Sequence, residues 1–177
     1  MTTRPAAITI RPATTEDVRL VLELIRDLAE YEREPHAVEA TEDLVRESLF
    51  GRGVGNGTAA NPRGASAECL IGEIDGRAQG FAVFFHNYST WKGRSGLYLE
   101  DLFVRPAARG AGLGKALLVR LAQIADERGC GRMEWAVLDW NTPAIDFYKA
   151  LGAQPMSEWT TYRVASPEAI RRLAQGG

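Results

Sequence analysis

Residues 105–118 read RPAARGAGLGKALL, with Gly110, Gly112 and Gly114 set beside Arg109 and Lys115 between an apolar run and a segment of helical spacing. A turn of this kind offers an anion its free backbone N–H groups and the positive end of a helix dipole. The two cationic side chains add charge-assisted donors. Spacing excludes two common phosphate readers. A GxxxxGK[ST] loop would put Arg109 where its first glycine belongs and Ala116 where its hydroxyl belongs. A GxGxxG fingerprint begun at Gly110 or Gly112 needs glycine where Lys115 or Leu117 stands. What fits is R-x-x-G-x-G, Arg109-Gly110-Ala111-Gly112-Leu113-Gly114, in which glycines admit a close pyrophosphate.

Other residues carry chemistry nearby. Glu100 and Asp101 lie side by side in the apolar stretch YLEDLF, where buried acids are costly without a partner or a task. Strand alternation puts their side chains on opposite faces. Tyr148, in FYKALG, has a hydroxyl that stays protonated at neutral pH. Cys69 and Cys130 are far apart and form no CxxC, and His36 and His86 show no ligand spacing, so free thiols and no metal are expected.

These residues need elements to hold them. AITIRPA suits a first strand, and Val18, Val21, Leu22, Ile25 and Leu28 recur at helical spacing behind a Thr14–Asp17 capping pair. A second helix is capped by Thr41 and stopped by Gly51, and residues 51–66 are a glycine-rich loop excursion by composition. AECLIGEIDGRAQGFAVFFHN is a hairpin turning at Asp75-Gly76, and GLYLEDLFV is a further strand. A helix runs from about Leu113 to Arg128, RMEWAVLDW is a strand, and NTPAIDFYKALG is a helix with Asn141 as its cap. EWTTYRV is a terminal strand, and Ser166-Pro167-Glu168 opens a last helix. The order predicts a mixed α/β (α+β) domain over 1–177, core about 8–164, with helices flanking a mostly antiparallel sheet.

A formal net charge of -2 argues against a general nucleic-acid coat and mildly favours a cationic small substrate. The N-terminal stretch lacks an apolar signal region and no run is long enough to span a membrane, so a cytoplasmic protein without membrane partners is expected.

The R-x-x-G-x-G turn closely resembles the acyl-coenzyme A signature of the GNAT superfamily of N-acetyltransferases. With IRPATTEDVRLVLELIRDLAEYE, LYLEDLFVRPAARGAGLGKALL and WNTPAIDFYKALGA, the chain is similar to the diamine (spermidine/spermine) acetyltransferase branch, which includes thialysine acetyltransferases. The resemblance runs from about Ile8 to Val164 and is weakest over 51–66.

It implies the GNAT fold and acetyl-CoA as cosubstrate, with direct attack by a small-molecule primary amine in a ternary complex. Tyr148 would protonate the leaving thiolate, and Glu100 would accept the amine proton through water. Asp101 would have a more structural part. Backbone groups of Leu102, Phe103 and Val104 would pair with the pantetheine arm, and Arg109 to Lys115 would hold the pyrophosphate. Asn141, Thr142, Pro143 and Ala144 would hold the coenzyme's other side. Glu134, Trp135 and Ala136 would line the amine side, Tyr31 and Glu32 would close over it, and Trp91 would add an aromatic wall. A homodimer with shared walls, exchanging the strand near EWTTYRV, is implied too.

One stretch departs from the pattern. Polyamine-acetylating members stay acidic after the Tyr-Glu pair, whereas Arg33-Glu34-Pro35-His36 follows here and favours a shorter, lysine-like amine. A peptide or protein amine and a non-catalytic acyl-CoA sensor are the alternatives; the presence of both Glu100 and Tyr148 argues against the sensor.

Overall fold

A computed structural model describes residues 6–51 and 65–176, so most of the glycine-rich stretch 51–66 lies outside the described residues. The chain forms two compact units, Met1–Ala136 and Val137–Gly177. The first contains β1 (Ile8–Pro12), α1 (Val18–Tyr31), α2 (Glu42–Phe50), β2 (Glu68–Ile74), β3 (Arg77–Ser89), β4 (Arg94–Val104), α3 (Leu113–Glu127) and β5 (Met133–Trp135). Its sheet has the order β1-β2-β3-β4-β5 and is antiparallel except for the β4–β5 pair.

Residue alternation along the strands creates two apolar layers. Ile71, Phe81 and Phe103 pack with Val18, Val21, Leu22 and Leu24 of α1 and Val45 and Leu49 of α2. The opposite face carries Leu70, Ala82, Phe84, Leu97 and Leu99, all buried, toward the apolar stripe Leu113, Leu117, Leu121 and Ile124 of α3. The β2–β3 turn uses Asp75 (φ 50) and Gly76 (φ 75), the double left-handed geometry that suits a tight hairpin. Gly80 lets β3 approach β4, because a Cβ there would sit 2.5 Å from the Phe103 carbonyl oxygen.

Ion pairs fix α1 at its start and along its middle. Arg11 of β1 grips Asp17 at 2.7 Å and Glu73 of β2 at 2.8 Å, and Asp17 also accepts the Thr14 backbone N–H at 2.8 Å. Further along the helix, Arg105 just after β4 pairs with Asp27 at 2.8 Å and with Glu23. Thr41 caps α2 as expected, accepting from the Leu44 N–H at 3.3 Å.

The second unit holds α4 (Thr142–Ala150) and α5 (Pro167–Ala174), the latter capped by Ser166. Two sequence expectations are corrected. RMEWAVLDW is a strand only over Met133–Trp135, since pairing with β4 ends at Leu99↔Trp135. EWTTYRV is in no strand; Trp159, Tyr162 and Val164 are exposed instead. Both segments have strand-like composition, but a strand exists only where a neighbour offers its backbone groups.

The Arg11 guanidinium, opposed by burial, holds the Asp17 carboxyl at about 2 against an ordinary 3.8. A lowered carboxylate stabilises the fold above its ordinary value, and that stabilisation disappears as pH falls toward 2. Acid unfolding followed by circular dichroism should therefore show about 2 kcal/mol of pH-dependent stability in the wild type that Asp17→Asn lacks.

Candidate active site

The site begins with one extra residue. β4 pairs with β3 as Val83↔Asp101 but Phe84↔Leu99, which leaves Glu100 as a β-bulge. Below it, the Leu97 N–H reaches across to the Arg132 carbonyl beside β5. Above it the phase is reversed. The Arg105 N–H bonds the Gln79 carbonyl, so in the antiparallel ladder Phe103 and Asp101 address β3, while Leu102 and Val104 turn their backbone groups away. On that side no β5 partner exists past Leu99↔Trp135 among the described residues. The result is a seam edged by strand backbone available to a ligand.

The bulge also gathers acids. Asp101 follows Val83 and Phe103 onto the face covered by α1, whereas Leu99 lies with Phe84 on the other. Alternation does not survive an inserted residue. Asp101 is half-buried, and its pKa is pushed up to about 6 by burial first, then by the negative charges of Glu100 and Glu32. Glu32 is itself raised by burial, whereas Glu100 is exposed. Asp101 thus has a raised proton affinity at the head of the seam.

Tyr31 and Glu32 reach this place because α1 stops there abruptly. The Arg33 N–H bonds Glu30 O at 3.1 Å and the Glu34 N–H bonds Ala29 O at 2.9 Å, with Arg33 at φ 66. This is a Schellman end in which arginine stands where glycine is usual.

The glycine turn lies at the top of the seam. Gly110 (φ 83) and Gly112 (φ 92) both hold left-handed backbone, and Gly112 is the N-cap of α3 without a side-chain cap. The first intrahelical bond runs from the Ala116 N–H to Gly112 O at 3.0 Å, leaving the Leu113, Gly114 and Lys115 N–H groups as first-turn donors. A Cβ on Gly110 would meet nothing within 4 Å, and one on Gly114 only ordinary contacts near 3.8 Å. Packing alone does not demand glycine at 114, whereas a closely approaching anion would. The donors and the open cradle fit a pyrophosphate. Arg109 is exposed, and its side chain reaches over Tyr31. Its guanidinium carbon lies 4.2 Å from the Tyr31 ring centroid and 5.9 Å from that of Phe103, and Nε donates to Val104 O at 3.0 Å.

Not every sequence candidate joins this group. The Glu134 carboxylate accepts from Asn87 Nδ2 at 2.9 Å and pairs with Arg132 at 2.9 Å, within the sheet beside Tyr98. Trp135 lies at the mouth of the seam opposite Leu99, and Ala136 follows it, exposed. Trp91 is 89% exposed on the β3–β4 turn, roughly 20 Å along β4 from Glu100 at ~3.3 Å per residue. Asn141, Thr142, Pro143, Ala144 and Tyr148 belong to the second unit. Asn141 occupies the N-cap position of α4 but its side chain makes no cap bond. Tyr148 is half-buried, and burial raises its hydroxyl above the ordinary 10. Among the described residues no cluster of His, Cys, Asp and Glu is placed to hold a metal ion. Sequence reasoning missed the stacking of Arg109 on Tyr31 and the weight carried by Asp101. Its one signal for the latter was the Glu-Asp pair itself.

Comparison with known proteins converges on one family. The model of the acetyltransferase (GNAT) family matches residues 21–153. A thialysine N-epsilon-acetyltransferase of Bos taurus is 39% identical, over 96% of this chain and 98% of the relative. An L-ornithine N5-acetyltransferase of Arabidopsis thaliana is 44% identical over 53% of this chain and 42% of its own. Among solved structures, an integron cassette protein from the mobile metagenome of V. cholerae superposes with a TM-score of 0.74 at 25% identity, covering 96% of this chain and 98% of that one.

Carboxyl NMR titration checks the electrostatics. Asp101 should titrate near 6, and Glu100→Gln should lower that value more than Glu32→Gln. Neither variant should bring it to the ordinary 3.8, because burial remains; a normal value in the wild type would refute the account.

Proposed function

The chain belongs to the acetyltransferase (GNAT) family and is an N-acetyltransferase, and from that membership we propose that it uses acetyl-CoA to acetylate the terminal amine of a small, lysine-like molecule of the thialysine class. The observation that carries the reading is the half-buried Asp101 beside an open strand seam, with Glu32 and Glu100 close enough to raise its pKa. Three carboxyl groups attract one ammonium, while Arg33 and His36 thin the negative field that a long polycation would need.

Acetyl-CoA, when bound, supplies an activated thioester. Leu102 and Val104 offer outward-facing backbone groups along which an extended, amide-bearing arm can pair. One of their N–H groups is suited to polarise the thioester carbonyl. The first-turn N–H groups of α3, with Arg109 and Lys115, hold the pyrophosphate. Asp101 takes over the proton-accepting task expected of Glu100: near 6, it stays mostly ionised at neutral pH yet is a better base than an ordinary carboxylate. Glu100, exposed at the bulge, draws the ammonium in. Tyr148, protonated throughout the neutral range, returns a proton to the departing thiolate.

A homodimer belongs to the same reading. The segment 158–164 presents Trp159, Tyr162 and Val164 to solvent outside any sheet, a surface that suits a second copy of the chain.

Thiol release from acetyl-CoA, measured with thialysine, lysine, ornithine, spermidine and a short amine-bearing peptide, tests the assignment. Preference for thialysine or lysine is expected; selective turnover of spermidine or the peptide would overturn the substrate class. Tyr148→Phe should lower kcat by roughly 10²–10⁴ while leaving acetyl-CoA affinity nearly intact.

A further inference from the structure

Most arginines that tie elements of the first unit together do so through carboxylates: Arg11, Arg105, Arg128 and Arg132 each pair with Asp or Glu. Arg109 is different. Among the described residues it has no ion-pair partner, and its guanidinium carbon instead lies over the Tyr31 ring, 4.2 Å from the centroid. Its Nε holds the Val104 carbonyl at 3.0 Å. One side chain thus touches the end of α1, the last seam-facing acceptor of β4 and, through its own backbone, the glycine turn.

We propose that Arg109 is a positioning residue through which the coenzyme's pyrophosphate and the amine pocket are energetically coupled, with Tyr31 as the far end of the link. The inference rests on the acetyl-CoA reading given above. A pyrophosphate in the turn attracts the guanidinium, whose terminal NH2 groups carry charge that Nε does not commit to Val104. Guanidinium and aromatic ring hold each other by cation–π attraction. Ordering the guanidinium therefore orders Tyr31, the residue expected to close over the amine. Loss of the Tyr31 ring must therefore be felt in coenzyme affinity, and linkage makes the factor by which CoA tightens amine binding equal to that by which the amine tightens CoA. Val104 contributes a second consequence. With one lone pair of its carbonyl engaged by Arg109, Val104 is a weaker acceptor than Leu102 for a ligand strand pairing along the seam, which biases its register.

Calorimetric titration of the full chain with CoA tests this without turnover. Tyr31→Leu should weaken CoA binding about twofold to fivefold, the range of an exposed cation–aromatic contact, while Tyr31→Phe, which keeps a ring, should bind CoA as the wild type does. In an Arg109→Ala background Tyr31→Leu should have no further effect, a non-additivity that a general loosening of the fold would not produce. Arg109→Lys replaces Arg109→Ala in the cycle if the alanine variant fails to fold, since an ammonium cannot span the Val104 carbonyl and the Tyr31 ring together. Undiminished CoA affinity in Tyr31→Leu, or a loss that adds in full to that of the Arg109 variant, would overturn the coupling. Failure of the wild type to bind CoA would overturn the acetyl-CoA reading instead.

Discussion

One unpaired residue in β4 sets the terms for everything above it. A strand with uninterrupted alternation would keep Leu97, Leu99, Asp101 and Phe103 on one face and point their backbone groups the same way. The extra residue at Glu100 resets both, so the lower half of β4 pairs with β5 while Leu102 and Val104 have no β5 partner among the described residues. The short β5 completes the arrangement by ending at Trp135. Without the reset, Asp101 would enter the layer packed on α3, where a carboxylate has no partner to offset its desolvation.

Charge is distributed in two distinct styles around that strand. Where the chain needs rigidity, guanidinium and carboxylate are matched: Arg11 with Asp17 and Glu73, Arg105 with Asp27 and Glu23, Arg128 with Glu68 at 2.8 Å. These pairs tie the start and middle of α1 and the end of α3 to the sheet. At the head of the seam the signs are segregated instead. The charges of Glu100 and Glu32 raise the proton affinity of Asp101 on one side, while Arg109 and Lys115 stand by the glycine turn on the other. Segregation is unfavourable for an empty protein and favourable once an ammonium and a pyrophosphate arrive, so the unmatched charges mark where ligands are expected.

Much of this was legible in the sequence, for identifiable reasons. Helices α1 and α3 have apolar stripes that only a 3.6-residue period explains, and Asp75-Gly76 and Thr41 have side-chain chemistry that dictates their local geometry. The glycine turn was legible because positive φ and close anion approach both restrict residue type. Relations between strands were not. Nothing local in YLEDLF distinguishes an inserted residue from a regular one, since a bulge is defined by its partner's register. The same blindness made RMEWAVLDW look like one long strand and EWTTYRV like a paired one. The stacking of Arg109 on Tyr31 joins residues 78 positions apart, a distance at which spacing rules say nothing.

Arg33 shows what the end of α1 gives up for its side chain. A non-glycine residue in left-handed backbone costs about 1–2 kcal/mol relative to the right-handed form, and the Schellman end would tolerate glycine with relief of that strain. The helix thus carries a cation beside its Tyr-Glu pair at the expense of its own termination. On the proposed lysine-like substrate reading, such a position lies on a trade-off curve between robustness and selectivity. A lineage that no longer needed to discriminate among amines would be free to drift to glycine here and would become sturdier by doing so, whereas one under pressure for a particular amine would keep the strained residue and accept a softer helix end.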